Sequence, residues 1–168
     1  MTLTTSRFGE LHIDPTEEIR FPRGLLGFPG RTRFLLLEAS HAGEPKPFWW
    51  LQSTEDGGLA FVVTDPALHV AGFRVPVGRA QLAAIGLEAG AAAAAVQVLV
   101  IVNKRGQTLT GNLQGPLLVN TTTRVGEQFV LSDKRFGTHV PLLNLKAEEP
   151  GERAAVVTTI GQPAALAS

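Results

Sequence analysis

The sequence is patterned as a series of short β-strands. Apolar and polar residues alternate with a period of two in several short runs, and each run is bounded by glycine, proline, asparagine or aspartate. In the first part of the chain this pattern predicts strands at residues 8–13, 18–21, 33–38, 48–53 and 59–64. The polar link 54–58 contains two adjacent glycines, which predicts a hairpin between the last two of these strands.

The second part of the chain continues this pattern but contains one helical segment. Further strands are predicted at residues 73–75, 96–102, 112–114 and 117–120. In the segment 79–87, Leu82 and Ile85 lie three positions apart and Gly86 stands where a helix would end, so we expect one short helix. The alanine-rich run 91–95 is ambiguous, although the glycine before it favours a loop or the lead-in to the next strand.

Length and composition predict one folded domain. A chain of 168 residues buries roughly 70% of its unfolded surface, and its 44% of hydrophobic residues favours a packed core. We expect a β-domain over residues 1–145. Residues 146–168 lack periodicity and are predicted to form a flexible C-terminal tail. Short strands, one helix and no alternating strand–helix units indicate an all-β, antiparallel barrel or sandwich.

Charge and cysteine content exclude several classes of protein. Fifteen basic residues balance fifteen acidic ones, which argues against a protein whose main task is to neutralise a phosphate backbone. There is no cysteine, so disulfides, thiolate nucleophiles and cysteine-type zinc sites are excluded. The N-terminus has no apolar signal region, and the longest uncharged apolar stretch, 89–102, is shorter than the about 17–25 residues of a membrane helix. We expect a cytoplasmic protein without a membrane segment.

The side chains used in catalysis form no recognisable motif. The glycine-rich loop 24–30 lacks the spacing of a phosphate-binding loop, and Pro29 removes one backbone donor, so a structural turn is the better interpretation. Ser53 has no nucleophile elbow, and Asp65 before proline is typical of a turn. The four histidines share no metal-ligand spacing; they are His12, His41, His69 and His139. We predict no enzyme activity, no metal and no cofactor.

The run 112–120 is instead typical of a shaped surface that binds another protein. Its asparagines, Asn112 and Asn120, flank Pro116, and none of its side chains is a usual catalytic group. We predict that both asparagines and Gln52 face a partner and are not buried structural amides, because they stand at or near the ends of apolar strands. The alternative is that these amides cap their own turns.

Two consecutive tryptophans supply a further candidate. On a strand, Trp49 and Trp50 point to opposite faces, and an exposed Trp50 would be a typical anchor for a protein partner. The alternative is that loops partly cover both side chains.

A cluster of arginines and phenylalanines leaves nucleic-acid binding open as a second function. Residues 20–37 contain no acidic residue. They do contain Arg20, Arg23, Arg31 and Arg33, interleaved with Phe21, Phe28 and Phe34. Such a set could stack on single-stranded bases. The alternative is a core of phenylalanines with a solvated rim of arginines, which the zero net charge favours.

Six blocks of the sequence, taken in order, resemble the FliW family of flagellar assembly factors. They are residues 19–28, 47–48 with 51–53, 60–66, 112–120, 124–128 (Arg124-x-Gly-x-Gln128) and 140–142. The resemblance covers about residues 7–143 of the chain.

This resemblance implies an all-β, compact, barrel-like fold and a cytoplasmic, non-enzymatic protein. Members of the family bind newly made flagellin and the small RNA-binding regulator CsrA. Binding of CsrA by a family member relieves the repression of flagellin translation. Flagellin competes with CsrA for the family member. The resemblance therefore implies partner switching, and direct nucleic-acid binding by the barrel is the alternative.

Overall fold

Antiparallel strands make up most of the computed structural model, which describes residues 2–38, 48–132, 137–144 and 166–167. The strands are β1 (Thr2–Thr5), β2 (Gly9–His12), β3 (Ile19–Arg20), β4 (Arg33–Glu38), β5 (Trp49–Ser53), β6 (Ala60–Thr64), β7 (Val75–Pro76), β8 (Val96–Arg105), β9 (Thr108–Gly111), β10 (Leu117–Asn120), β11 (Gly126–Gln128), β12 (Val140–Asn144) and β13 (Leu166–Ala167). One α-helix, α1 (Arg79–Ala84), and short 3₁₀ turns at Pro15–Glu17, Pro66–Leu68 and Ala93–Ala95 complete the described elements.

The main sheet curls until its two ends meet. Its strand order is β11-β10-β8-β6-β5-β4-β3, with β9 paired to β8 and β12 paired to β9. The backbone N–H of Arg20, in the last strand of this order, donates to the carbonyl of Arg124 at 2.9 Å, and Arg20 bridges to Val125 just before β11. The predicted all-β, barrel-like antiparallel fold with one short helix is confirmed.

Both faces of this sheet are covered over much of its area. Strand β8 points Val96, Val98 and Val100 toward α1, while Leu99 lies in the barrel interior. Because both faces of β8 are covered from Val96 to Val102, this part of the strand is apolar apart from Gln97 and does not alternate. The β1–β2 hairpin covers the outer face of β4 and β5, where it packs on Leu35, Leu37 and Trp50.

The strand prediction differs from the structure in a few places. Strands β1, β9 and β12 were not predicted, and β8 continues to Arg105 instead of ending at residue 102. The predicted strand 112–114 is wrong: Asn112 Oδ1 accepts hydrogen bonds from the N–H groups of Gln114 and Gly115, which makes a turn. The ambiguous run 91–95 ends in a 3₁₀ turn that leads into β8, as the preceding glycine favoured.

The predicted tail, 146–168, lies outside the described residues except for Leu166–Ala167. These two residues form β13, which pairs in parallel with Val75–Pro76. The boundary of the domain at residue 145 therefore stays a prediction.

Candidate protein-binding surface

Gln52 is buried and serves the interior of the fold. Its side chain is 0% exposed, and its Nε2 donates to the carbonyls of Ser53 at 3.0 Å and Leu59 at 3.1 Å. Gln52 pairs with Leu35 of β4 on the face that the β1–β2 hairpin covers. The prediction that this amide is partner-facing is wrong, because the side chain is buried and its donors bond to carbonyls of its own β5–β6 hairpin, as the capping alternative expects.

Asn120 is also a buried structural amide, contrary to prediction. It is 2% exposed, and its Nδ2 donates to the carbonyl of Ile85, the C-cap of α1, at 2.9 Å. Its Oδ1 accepts from the backbone N–H groups of Thr122 and Thr123 at 3.0 and 3.2 Å. Asn120 thus connects the end of α1 with the turn between β10 and β11.

Asn112 and Pro116 belong to the turn before β10. Asn112 is half-buried, and its Oδ1 caps its own turn at 3.2 Å from Gln114 N and 3.0 Å from Gly115 N. Pro116 is buried, and its carbonyl accepts from Phe129 N at 3.0 Å. The capping alternative describes Asn112, while a contact between its exposed part and a partner stays a prediction.

Trp49 and Trp50 point to opposite faces of β5, as predicted. Trp49 packs against the barrel interior and Trp50 against the β1–β2 hairpin. The Trp50 ring meets Phe8 edge-on at 6.1 Å, and the Arg7 guanidinium carbon lies 4.3 Å from its centroid. Because both rings are partly buried, Trp50 offers a partner only part of its surface.

The connection between β3 and β4 exposes the largest apolar side chains near the barrel closure. Residues 25–28 form a tight turn in which Leu25 and Phe28 exchange backbone hydrogen bonds of 3.2 and 2.7 Å. Leu26 is 56% exposed and Phe28 38% exposed, so both present apolar surface to solvent. We call this turn the apolar tip. Gly27 has φ +85°, which suits glycine at the second central position of the turn.

Hydrogen bonds and aromatic contacts fix the apolar tip to the barrel. Leu26 N donates to Gln128 Oε1 at 2.9 Å, and Gln128 Nε2 donates to the carbonyl of Gly115 at 2.9 Å. The Phe28 ring meets Phe61 edge-on at 5.3 Å. The tip is therefore an exposed apolar surface whose backbone is held in one conformation.

A cleft of about 300 Å³ lies beside the apolar tip. Its lining includes Arg23, Leu25, Leu26, Pro29, Glu127 and Gln128. Arg23 Nε lies 3.6 Å from Glu127 Oε1 across it. The cleft thus combines an apolar wall with one ion pair, a composition suited to a peptide side chain.

The motif Arg124-x-Gly-x-Gln128 has a structural explanation residue by residue. Arg124 has φ +59°, and its Nε and Nη2 donate to the carbonyl of Glu17 at 3.1 and 2.9 Å. A Cβ on Gly126 would lie 2.7 Å from the Phe21 ring and 2.9 Å from the carbonyl of Leu118. The motif closes the barrel and positions the apolar tip.

The arginine and phenylalanine cluster is split between the core and the surface. Phe21 and Phe34 are 0% exposed and meet edge-on at 5.8 Å inside the barrel. Only Phe28 of the three has an exposed ring, and Arg31 Nη2 lies 3.6 Å from Asp56 Oδ2. Because two of the three rings cannot stack on bases, the structure disfavours the nucleic-acid alternative.

The titratable side chains of the described residues form no metal-binding group of three or more. Asp65 is 4% exposed, and burial raises the pKa of this carboxyl while hydrogen bonds from Ala67 N and Gln97 Nε2 oppose the shift. Asp65 caps the 3₁₀ turn Pro66–Leu68, which is the turn role predicted from the sequence.

Within the described part of the chain, no helix is long and apolar enough to cross a membrane.

Sequence reasoning missed the apolar tip and the role of Gln128. The glycine-rich loop was interpreted as a structural turn, which it is, but the exposure of Leu26 was not inferred. The available signal was two apolar residues, Leu26 and Phe28, on either side of a glycine inside a predicted turn. Turns in soluble proteins are normally polar, so apolar residues at such a position indicate a contact surface.

Comparison with known proteins identifies the family. The sequence profile described as FliW protein matches residues 2–142. The flagellar assembly factor FliW of Natranaerobius thermophilus is 35% identical over 144 residues, which is 86% of this chain and 93% of that protein. The FliW of Alkaliphilus metalliredigens is 34% identical over 82% of this chain and 83% of its own length. A crystal structure of the flagellar assembly factor FliW superposes with a TM-score of 0.73 at 26% identity, covering 88% of this chain and all of that one. The chain belongs to the FliW family, which is not a known family of enzymes.

Proposed function

We propose that this protein is a cytoplasmic flagellar assembly factor that binds flagellin and a CsrA-type RNA-binding regulator in turn. Binding of the regulator relieves its repression of flagellin synthesis, and flagellin displaces it. Membership of the FliW family supports this proposal, because the relatives are named flagellar assembly factors.

The observation that carries the proposal is the fixed, exposed apolar tip. Leu26 is 56% exposed although its backbone is hydrogen-bonded to Gln128. An apolar side chain on a preorganised backbone beside a cleft spares the binding reaction the entropy cost of ordering that backbone, and such side chains are typical anchors of protein interfaces. Gln52 and Asn120 cannot take this part, because both are buried.

We further propose that both partners cover the apolar tip, so that they exclude each other. When two proteins compete for one binding surface, their relative concentrations decide which of them is bound. No conformational change in the barrel is needed. Unassembled flagellin would then release the regulator by mass action.

The test is titration calorimetry of the purified protein against flagellin and the CsrA-type regulator from the same organism. Wild-type protein is expected to bind each one, and saturation with flagellin should abolish binding of the regulator. Leu26→Ser should weaken both affinities by about tenfold, roughly 1.4 kcal/mol.

The matched control is Leu68→Ser, which changes a leucine of 40% exposure outside the apolar tip. It should leave both affinities unchanged. If the wild type bound neither flagellin nor the regulator, the proposed function would be refuted. Equal losses in Leu26→Ser and Leu68→Ser would refute the assignment of the tip.

A further inference from the structure

Two arginines face each other at the base of the β3–β4 connection. Arg20 and Arg33 are directly opposite in the antiparallel pair, next to Ile19 and Phe34. Both arginines are exposed, whereas Ile19 and Phe34 are 0% exposed and point into the barrel. The two arginine side chains therefore project from the same outer face of the sheet.

The hydrogen-bond pattern brings these side chains close together. Phe21 N donates to the carbonyl of Thr32 at 2.7 Å, so the flanking pair is a hydrogen-bonded one. Arg20 and Arg33 are then a non-hydrogen-bonded pair, for which the Cα atoms are about 4.5 Å apart and side chains lie nearest. Like charges in such a position repel and destabilise the sheet.

The neighbouring carboxylates are already engaged. Glu55 attracts Arg33 and Arg31, but its Oε1 accepts from the backbone N–H groups of Thr32 at 2.6 Å and Arg33 at 3.1 Å. Glu18 Oε2 accepts from Thr54 Oγ1 at 2.7 Å. Each of these carboxylates therefore has a hydrogen-bond partner other than the two guanidinium groups.

The arginine pair belongs to the same connection as the apolar tip. Arg20 and Arg33 stand at its two ends, and Leu26 and Phe28 stand at its turn. The remaining arginines of the connection are in ion pairs with Glu127 and Asp56, each at 3.6 Å. A molecule that covers the connection therefore meets an apolar surface and a repulsive pair of positive charges.

We propose that the Arg20–Arg33 pair binds carboxylates of an acidic segment in the protein partner that covers the apolar tip. Two neighbouring guanidinium groups can each bind a carboxylate through two N–H donors, and a carboxylate between them removes the repulsion. An acidic protein segment is favoured over nucleic acid because Phe21 and Phe34 are buried and cannot stack on bases. This inference rests on the proposed function.

The test compares Arg20→Gln/Arg33→Gln with Arg79→Gln, which removes an exposed arginine from α1. Titration calorimetry against flagellin and against the CsrA-type regulator is run at roughly 50 and 500 mM salt. The double variant should weaken the binding of at least one partner by about tenfold or more at low salt and by much less at high salt. Arg79→Gln should bind as the wild type does.

Stability supplies a second readout. Because the double variant removes a repulsive pair, its melting temperature should be equal to or higher than that of the wild type. If the wild type binds and the folded double variant binds both partners with unchanged affinity, this inference is overturned and the proposed function stays intact. Absence of wild-type binding would instead refute both.

A single-stranded adenine-rich RNA of about twelve nucleotides serves as the competing probe. The expected result is no arginine-dependent binding of this RNA. If the RNA binds and only its binding is lost in Arg20→Gln/Arg33→Gln, the pair is a phosphate site and the acidic-segment proposal is wrong.

Discussion

The backbone N–H of Leu26 donates to Gln128 Oε1 at 2.9 Å, which joins residues 102 positions apart. The same side chain donates through Nε2 to the carbonyl of Gly115. Gln128 thus links the apolar tip and the turn before β10 to strand β11. This amide therefore acts together with the Phe28–Phe61 contact to fix how the exposed apolar turn is presented.

Replacing this amide should affect both stability and binding. Gln128→Ala removes two hydrogen bonds and is expected to lower the free energy of unfolding by about 1–2 kcal/mol. It should also weaken partner binding, because the tip then loses its preorganised conformation. Urea unfolding and titration calorimetry measure the two effects.

Gln128→Glu separates the contributions of the two hydrogen bonds made by this side chain. It retains an oxygen that can accept from Leu26 N but loses the donor to Gly115. We expect its affinity to lie between those of the wild type and Gln128→Ala. An affinity equal to that of Gln128→Ala would mean that the bond to Leu26 does not position the tip.

Three glycines in or beside the apolar tip should differ in their tolerance of alanine. Gly24 has φ +69°, and a Cβ there would lie 2.5 Å from the carbonyl of Phe28. Gly24→Ala is expected to cost about 2–3 kcal/mol of unfolding free energy. Gly27 has φ +85° but open space, so Gly27→Ala should cost about 1 kcal/mol.

Gly30→Ala is the matched control, because neither a positive φ nor a neighbour within 4 Å restricts a Cβ at this position. Its effect should stay within about 0.5 kcal/mol. Denaturant unfolding of the three variants gives the order of their losses in unfolding free energy. A loss in Gly30→Ala as large as that in Gly24→Ala would contradict the geometry.

The buried amide of Asn120 should affect stability without affecting affinity. Asn120→Ala leaves the carbonyl of Ile85 and the amides of Thr122 and Thr123 without this partner, so we expect a loss of about 2–3 kcal/mol. The affinity of the folded fraction for flagellin and the regulator should not change. A stable variant with tenfold weaker binding would restore Asn120 to the partner surface.

The fold could be predicted from the sequence more completely than the site. Short apolar runs bounded by polar and turn residues predicted β4, β5 and β6 almost residue by residue, because these strands are covered on both faces and carry consecutive apolar side chains. Strand β1 was missed since Thr2–Thr5 contains a single apolar residue. That strand acquires its structure only by pairing with Gly9–His12.

The amides show why the site was harder to predict. Gln52 and Asn120 stand at strand ends, where local sequence does not distinguish a solvent-facing from a buried side chain. Their surroundings decide: Gln52 lies opposite Leu35 on the face of the sheet that the β1–β2 hairpin packs on, and the Ile85 carbonyl that binds Asn120 lies 35 positions away. Burial of a polar residue at a strand end depends on tertiary contacts that periodicity does not contain.

Asp65 should make the stability of this protein depend on pH in the acidic range. Burial raises the pKa of its carboxyl, so the folded protein holds this proton more readily than the unfolded chain does. The contribution of Asp65 to the free energy of unfolding therefore falls as pH rises from about 3.9 through the raised pKa, and is constant above it. Asp65→Asn keeps an oxygen for the N–H of Ala67 but does not titrate.

The measurement is urea unfolding of wild type and Asp65→Asn across the acidic range. As pH rises through this window, the stability of the variant should increase relative to the wild type. Asp14→Asn is a control of opposite sign, because hydrogen bonds from Thr16 lower the pKa of Asp14. Its wild-type carboxylate contributes stability above about 3.9 that is lost as pH falls through the lowered pKa. If Asp65→Asn followed the wild type at every pH, Asp65 would have the same pKa in the folded and unfolded chains.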